Sequence, residues 1–145
     1  MIEIVGDLWD HHQRGMVVAI TTGGAVKKDG TCDMPRGCAR QARERFSHLA
    51  WHLGQQIRMH GNHVFDLGNR IVSFPVENCP QEVPEFGLIE QSCRELVELA
   101  DYKGWPQVIV PRPGCGGGGL AWSEVRVILE RYFDDRFQLI TNEEG

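Results

Sequence analysis

No apolar run in this chain approaches the ~20 residues that a membrane-spanning helix needs, so no membrane partner is expected. Its first residues, Met1 to Asp7, lack the basic and apolar regions of a secretory signal, which makes the cytoplasm the expected compartment. Basic residues are in deficit, with 15 Lys and Arg against 20 Asp and Glu and a formal net charge of −5. That balance argues against a surface that grips nucleic acid throughout, because such affinity comes from Lys and Arg neutralising phosphates, although it leaves room for a local basic patch. Paired cysteine spacing is missing too: Cys32, Cys38, Cys79, Cys93 and Cys115 are odd in number and irregularly placed. Neither a disulfide framework nor a closed zinc site follows from them, and reduced thiols are expected. No repeat, linker or low-complexity stretch divides the 145 residues, so a single domain over 1–145 is expected, and as a monomer.

What the chain does have is an ordinary globular composition, 41% apolar and 24% charged, at a length that buries roughly 68–70% of the unfolded surface. Ile2 to Val5 and Met16 to Thr21 are β-branched runs that read as strands, with the polar stretch Gly6 to Gly15 as a loop between them. Thr22 to Pro35 is a second, glycine-bearing loop. From Arg36 the period changes: Ala39, Ala42, Phe46, Leu49, Ala50 and Leu53 predict one amphipathic helix that stops at Gly54. Gln56 to His60, His63 to Leu67 and Ile71 to Val76, separated by Gly61-Asn62 and Gly68-Asn69, predict short strands joined by turns. A helix through Leu88 to Ala100, a buried strand at Val108 to Val110, a helix through Val125 to Phe133 and a last strand at Phe137 to Thr141 follow. Helices alternating with strands predict an α/β sandwich around a mixed sheet.

Six of the seventeen glycines fall between Gly104 and Gly119, and five of those lie in Gly114-Cys115-Gly116-Gly117-Gly118-Gly119. This run joins a buried strand to a helix, the place where an open α/β sheet puts its ligand crevice. Residues without Cβ let backbone N–H groups approach an anion, and the following helix adds free N–H groups and the positive end of its dipole. A phosphate or diphosphate is the natural guest. A Walker loop would need Lys and Ser or Thr where Leu120-Ala121-Trp122 stand, which disfavours ATPase chemistry. Gly114-x-Gly116-x-x-Gly119, with the acidic Glu143 beyond the next strand, matches a dinucleotide fingerprint but leaves no room for a second mononucleotide half.

Other clusters are weaker. His48 and His52 are four apart, but Leu49 stands where a zinc hydrolase helix has Glu, so no metal is expected. Cys115 lies near a helix N-terminus that could activate a thiol, yet no histidine is tied to it, which favours a small residue packed under the loop. Arg36, Arg40, Arg43 and Arg45 read as a solvated face, with Arg36 adjoining the second glycine-bearing loop. Of the four tryptophans, only Trp9 lies near a candidate site; the others read as core or loop anchors.

Taken together these residues resemble a macro domain, the ADP-ribose-binding module, over nearly the whole chain. Gly6-Asp7-Leu8 resembles the family's opening motif, Thr21-Thr22-Gly23-Gly24 the segment facing the distal ribose, and Met34-Pro35-Arg36-Gly37-Cys38-Ala39 the Met-Gly-x-Gly-x-Ala loop. Gly114-Cys115-Gly116-Gly117-Gly118-Gly119-Leu120-Ala121-Trp122 is similar to the phosphate loop of the branch whose hydrolases remove ADP-ribose from acidic side chains and DNA bases. Asn142 falls where the family completes the adenine pocket.

The resemblance implies a three-layer α/β/α sandwich that binds ADP-ribose, or an ADP-ribosylated macromolecule, without cofactor. Asp7 would accept from the adenine amine, and the two glycine-bearing loops would clamp the diphosphate. Hydrolysis of an ADP-ribosyl linkage is left open, as are a dinucleotide (NAD)-binding module, a phosphatase of phosphorylated ADP-ribose, and a partner-binding domain with a vestigial pocket. Similar hydrolases carry a lysine where this chain has Glu77, and an aspartate where it has Gly118; Gly23 and Pro35 also depart from the pattern. Turnover is therefore expected to be slow or absent, and Glu77→Lys with Gly118→Asp is expected to raise it more than affinity.

Overall fold

The computed structural model describes residues 1–142, so Glu143 of the dinucleotide pattern lies outside them. In chain order the elements are β1 (Ile2–Val5), α1 (Leu8–Gln13), β2 (Val17–Thr22), α2 (Gly37–Arg45), α3 (Leu49–His60), β3 (Ile71–Pro75), α4 (Phe86–Lys103), β4 (Val108–Pro111), α5 (Trp122–Glu130) and β5 (Phe137–Thr141). The five strands form one sheet in the order β1-β5-β4-β2-β3.

Alternation along each strand divides the interior between two faces, as a period of two requires. Val18, Ile20, Ile71, Ile109 and Ile140 pack with Leu8, Trp9, Ala42 and Leu53 from α1, α2 and α3. Ala19, Val72, Phe74, Val108, Val110, Phe137 and Leu139 pack on the opposite face with Ile89, Leu96, Val125 and Leu129 from α4 and α5. Strands covered on both faces are apolar at nearly every position, hence the unbroken runs in the sequence. The result is a three-layer α/β/α sandwich.

The sheet is not mixed: every pairing between the named strands is parallel. The antiparallel partners expected from residues 56–67 do not form strands, because Gln56 to His60 belong to α3 and His63 to Leu67 make only an isolated antiparallel bridge at Asp66 to Val72. Gly61, at φ 88°, ends α3 instead of turning a hairpin. Asn69 and Arg70, at φ 52° and 59°, make the left-handed turn into β3. The stretch Gly6 to Gly15 likewise holds α1 and is not all loop.

The helix expected from Arg36 to Leu53 is two helices, broken at Phe46, whose backbone is extended at φ −128° and ψ 105°. Gly54 does not end the second. It lies in the middle of α3 because a side chain there has no space: a Cβ would stand 2.0 Å from the Gly30 carbonyl oxygen and 3.0 Å from the Cys32 nitrogen. Cys32 N–H in turn donates to the Ala50 carbonyl at 2.8 Å, so the loop after β2 is tied directly to the backbone of α3.

This contact decides the sign of one substitution. Alanine is the better helix former by about 1 kcal/mol, but at position 54 the collision is with backbone and cannot be relieved by a rotamer. Gly54→Ala is expected to lower stability by roughly 1–3 kcal/mol, read as a lower urea midpoint.

Candidate functional site

All five strands run in the same direction, so their C-terminal ends share one edge of the sheet. The helices following β2 and β4 pack on opposite faces, which makes the gap between these neighbours the point where the connections diverge. Their pairing is short: Val17 with Val108 and Val18 with Ile109, whereas β2 and β3 pair over five positions. The C-terminal parts of β2 and β4 are thus free to separate. A cavity of about 860 Å³ occupies this edge and reaches from Asp7, after β1, to Glu77, after β3. At about 4.8 Å between strands, the five strands give it a length of roughly 19 Å.

The sequence-predicted residues meet here. Asp7, Leu8, Thr22, Gly23, Met34, Arg36, Gly37, Cys38, Ala39, Gly114, Cys115, Gly116, Gly117, Gly118, Leu120 and Asn142 all line the cavity. Gly119 does not; at φ 80° it makes the turn that leads the chain out of the loop. At the β1 end, Asp7 caps α1 by accepting the Trp9 N–H on Oδ1 at 2.9 Å. One carboxylate oxygen thereby fixes the side chain beside the cavity, and the other is left for a ligand donor. Gly6 N–H donates to the Thr141 carbonyl at 2.9 Å, which brings Asn142 to the same end.

Two loops face each other in the middle. Residues 34–38 enter α2 and residues 114–119 lead to α5, and neither helix has a side chain capping its first N–H groups. Within the glycine loop, Cys115 N–H donates to Arg112 O, Gly119 N–H to Gly116 O and Leu120 N–H to Gly114 O. The N–H groups of Gly116, Gly117 and Gly118 stand outside this internal bonding. Such a row of amides beside two helix N-termini is a cradle for an anion. Gly118 must be glycine for packing: a Cβ would stand 2.6 Å from Pro84 Cγ and 2.7 Å from the Gly114 carbonyl oxygen. The expected gain from Gly118→Asp is therefore corrected, since that side chain would break the loop's contact with the segment after β3.

Arg36 crosses from one loop to the other. Its Nη2 donates to the Pro80 carbonyl at 3.2 Å and stands 3.7 Å from Glu77 Oε1, while its Nε lies 3.6 Å from where a Cβ on Gly117 would be. The solvated face expected of the α2 arginines holds for Arg40, which pairs with Glu44 at 2.8 Å. Arg36 and Arg45 are exposed as well, and in addition line the cavity, the latter with its guanidinium 4.7 Å from the Trp9 ring.

Glu77 was not among the residues expected to bind, and it is the most unusual group in the site. It is 9% exposed, and Asn62 holds its backbone by donating Nδ2–H to the Glu77 carbonyl at 3.0 Å. Among the described residues its buried Oε2 has no hydrogen-bond partner, and Arg36 is too far from Oε1 for a hydrogen bond. Burial pushes its carboxyl above the usual carboxylate value, Arg36 pulls it back, and Glu82 adds to the rise. Burial thus opposes the charge of this carboxylate at the β3 end of the cavity.

Neither thiol in the cavity is activated. Cys38 accepts the Thr21 N–H at 3.4 Å and burial raises its pKa. Cys115, whose S–H points to the Pro113 carbonyl at 3.4 Å, is pushed up to about 11 by burial against a smaller opposing effect of Arg112. Trp122 and Arg112 also line the cavity, their ring and guanidinium 4.6 Å apart, so Trp9 is not its sole tryptophan.

No family model and no curated protein matches the chain by sequence. Solved structures do match by shape. The macrodomain of Thermus aquaticus DarG superposes with a TM-score of 0.78 at 18% identity, over 99% of this chain and 97% of that one. The macrodomain of Mycobacterium tuberculosis DarG gives 0.73 at 18% identity, over 97% and 99%. Thermosipho africanus DarTG, solved in complex with ADP-ribose, gives 0.76 at 19% identity over 96% of this chain, which spans only 41% of that one. The chain therefore has the macrodomain fold.

The raised pKa of Glu77 has a signed consequence for stability. A carboxyl whose folded pKa exceeds its unfolded value near 4.5 burdens the fold while ionised, and the burden is relieved as pH falls through the folded pKa toward 4.5. Glu77→Gln is expected to raise Tm at pH 7 to 8. That advantage should shrink as the pH approaches 4.5, as read by thermal melts across the range.

Proposed function

We propose that this chain binds ADP-ribose, free or carried on a macromolecule. What supports the reading above all is the pair of facing backbone cradles at residues 34–38 and 114–119, spanned by Arg36 in the gap between β2 and β4. The diphosphate lies between them, held by backbone N–H groups, helix dipoles and one guanidinium. Asp7 accepts from the adenine amine at the β1 end, with Asn142 beside it. The distal ribose then extends past Gly23 toward β3. The macrodomain fold and the complex of Thermosipho africanus DarTG with ADP-ribose support the same assignment.

The reading is of binding with slow or absent turnover. Both cavity thiols hold their protons at neutral pH, and Glu77 stands where similar hydrolases have lysine. Release of labelled ADP-ribose from modified glutamate or DNA is expected to stay near the buffer blank; rapid release would overturn this part.

Calorimetry with ADP-ribose tests the binding. Asp7→Ala is expected to weaken affinity by about 1.5–3 kcal/mol, the range for a hydrogen bond to a charged group. Gly117 gives the cleaner test of the cradle, because a Cβ there meets only Arg36, at ordinary contact distance. Gly117→Val should abolish binding while Tm falls little. Full affinity in that variant would make the loop a connector.

A further inference from the structure

A second, smaller cavity of about 280 Å³ lies at the joint between α2 and α3. The extended backbone of Phe46 ends α2 there and turns the chain toward the start of α3. Arg45 from the last turn of α2, Ser47 and His48 from the joint, and His52 one turn further on line this cavity, and Phe46 and Leu67 give it an apolar wall. His48 and His52 are four apart and so lie on one face of the helix. Three basic side chains therefore border one space, in a chain whose net charge is −5. No Asp or Glu lines the cavity, and among the described residues no carboxylate pairs with Arg45, His48 or His52. Arg40 and Arg126, by contrast, each hold a carboxylate, at 2.8 Å and 3.0 Å. Arg45 rests on the Trp9 ring, which positions a guanidinium without neutralising it.

We propose that this cavity is a second anion site, which takes a small phosphomonoester of the sugar phosphate class. The phosphate meets Arg45, His48, His52 and the Ser47 hydroxyl, and the carbon body lies against Phe46 and Leu67. A phosphate ester brings about −1.5 to −2 charge and three acceptor oxygens, which answers a cluster of donors that has no carboxylate of its own. The volume falls just below the ~300 Å³ at which drug-sized pockets begin, so one phosphate with a small body fits and a dinucleotide does not. A cation is the wrong guest. Among the described residues no three His, Cys, Asp or Glu come together to hold a metal, and the Arg45 guanidinium would repel one. The proposal is independent of ADP-ribose binding, although Arg45 lines both cavities. His48 and His52 line the smaller cavity and not the larger, so they give the cleaner test.

Nuclear magnetic resonance of the histidine rings in the full chain tests this, at about pH 6.5, where imidazoles exchange protons, and at low ionic strength, because the site is open to solvent. Ribose 5-phosphate, inorganic phosphate and zinc are added in separate titrations. With ribose 5-phosphate the His48 and His52 signals are expected to move together and saturate, while His60, at the far end of α3, stays in place. Inorganic phosphate should saturate the same two signals with about threefold or more weaker affinity, since it has no body to cover the apolar wall. Arg45→Gln should weaken ribose 5-phosphate by about tenfold, the effect of losing a charge-assisted hydrogen bond, and His52→Gln by a similar factor. Drift of all six histidine signals without saturation, or undiminished affinity in both variants, would overturn the site. Saturable shifts of His48 and His52 with zinc but not with ribose 5-phosphate would replace the anion by a metal. Equal affinity for inorganic phosphate and ribose 5-phosphate would overturn the sugar phosphate class.

Discussion

Everything in the site depends on the divergence of β2 and β4. In a parallel sheet with both faces covered, neighbouring strands whose following helices pack on opposite faces must release each other near their C-terminal ends. Here they do so after Val18 and Ile109, and the loops at residues 34–38 and 114–119 are carried to opposite sides of the gap. Two helix N-termini then face a common space without any side chain having been spent to cap them. The cradle is thus a property of the topology, and the glycines determine how closely a ligand approaches it.

That topology also resolves a mismatch of charge. A chain with a net charge of −5 is a poor attractor of anions at long range. At contact, backbone amides and aligned peptide dipoles act at full strength, and bulk charge a Debye length away is screened. Arg36, Arg45 and Arg112 add positive charge along the cavity wall. Each is also engaged by the protein itself: Arg36 by the Pro80 carbonyl, Arg45 by Trp9, Arg112 by Trp122. Held this way, they lose less side-chain entropy when a ligand arrives.

The parts legible in the sequence were those encoded within a few residues. Gly114 to Gly119 between a buried strand and a helix announces an anion site because the chemistry and the position are both local. Met34 to Ala39 and Gly6-Asp7-Leu8 are of the same kind. The parts that stayed hidden depend on distant backbone. Gly54 reads as a helix stop, and only its contact with Gly30, 24 residues earlier, explains it within a helix. Glu77 reads as a missing lysine, and its meaning changes once Arg36 is 3.7 Å away and Gly23 is on its flank. Of the two dipeptides read as turns, Gly68-Asn69 does lead into the turn before β3 and Gly61 instead ends α3; the helix and the isolated bridge they border could not be told from strands by periodicity in so few residues.

The segment after β3 shows how packing and binding share the same atoms. Pro84 packs over the glycine loop so tightly that Gly118 can carry no side chain, and the carbonyl of Pro80 holds Arg36 across the gap. This segment is therefore a wall of the cradle, although it contributes none of the glycines or helix ends that identify it. Glu77 begins that wall, and its burial opposes its charge. A residue whose ionisation burdens the fold persists where the surroundings over-determine it, and such residues gather at sites that bind. Strain of this kind at one end of the cavity, and a helix-capping carboxylate satisfied at the other, give the cleft two unlike ends. In the binding proposed for ADP-ribose, these unlike ends favour one direction, with the base toward β1 and the sugar toward β3.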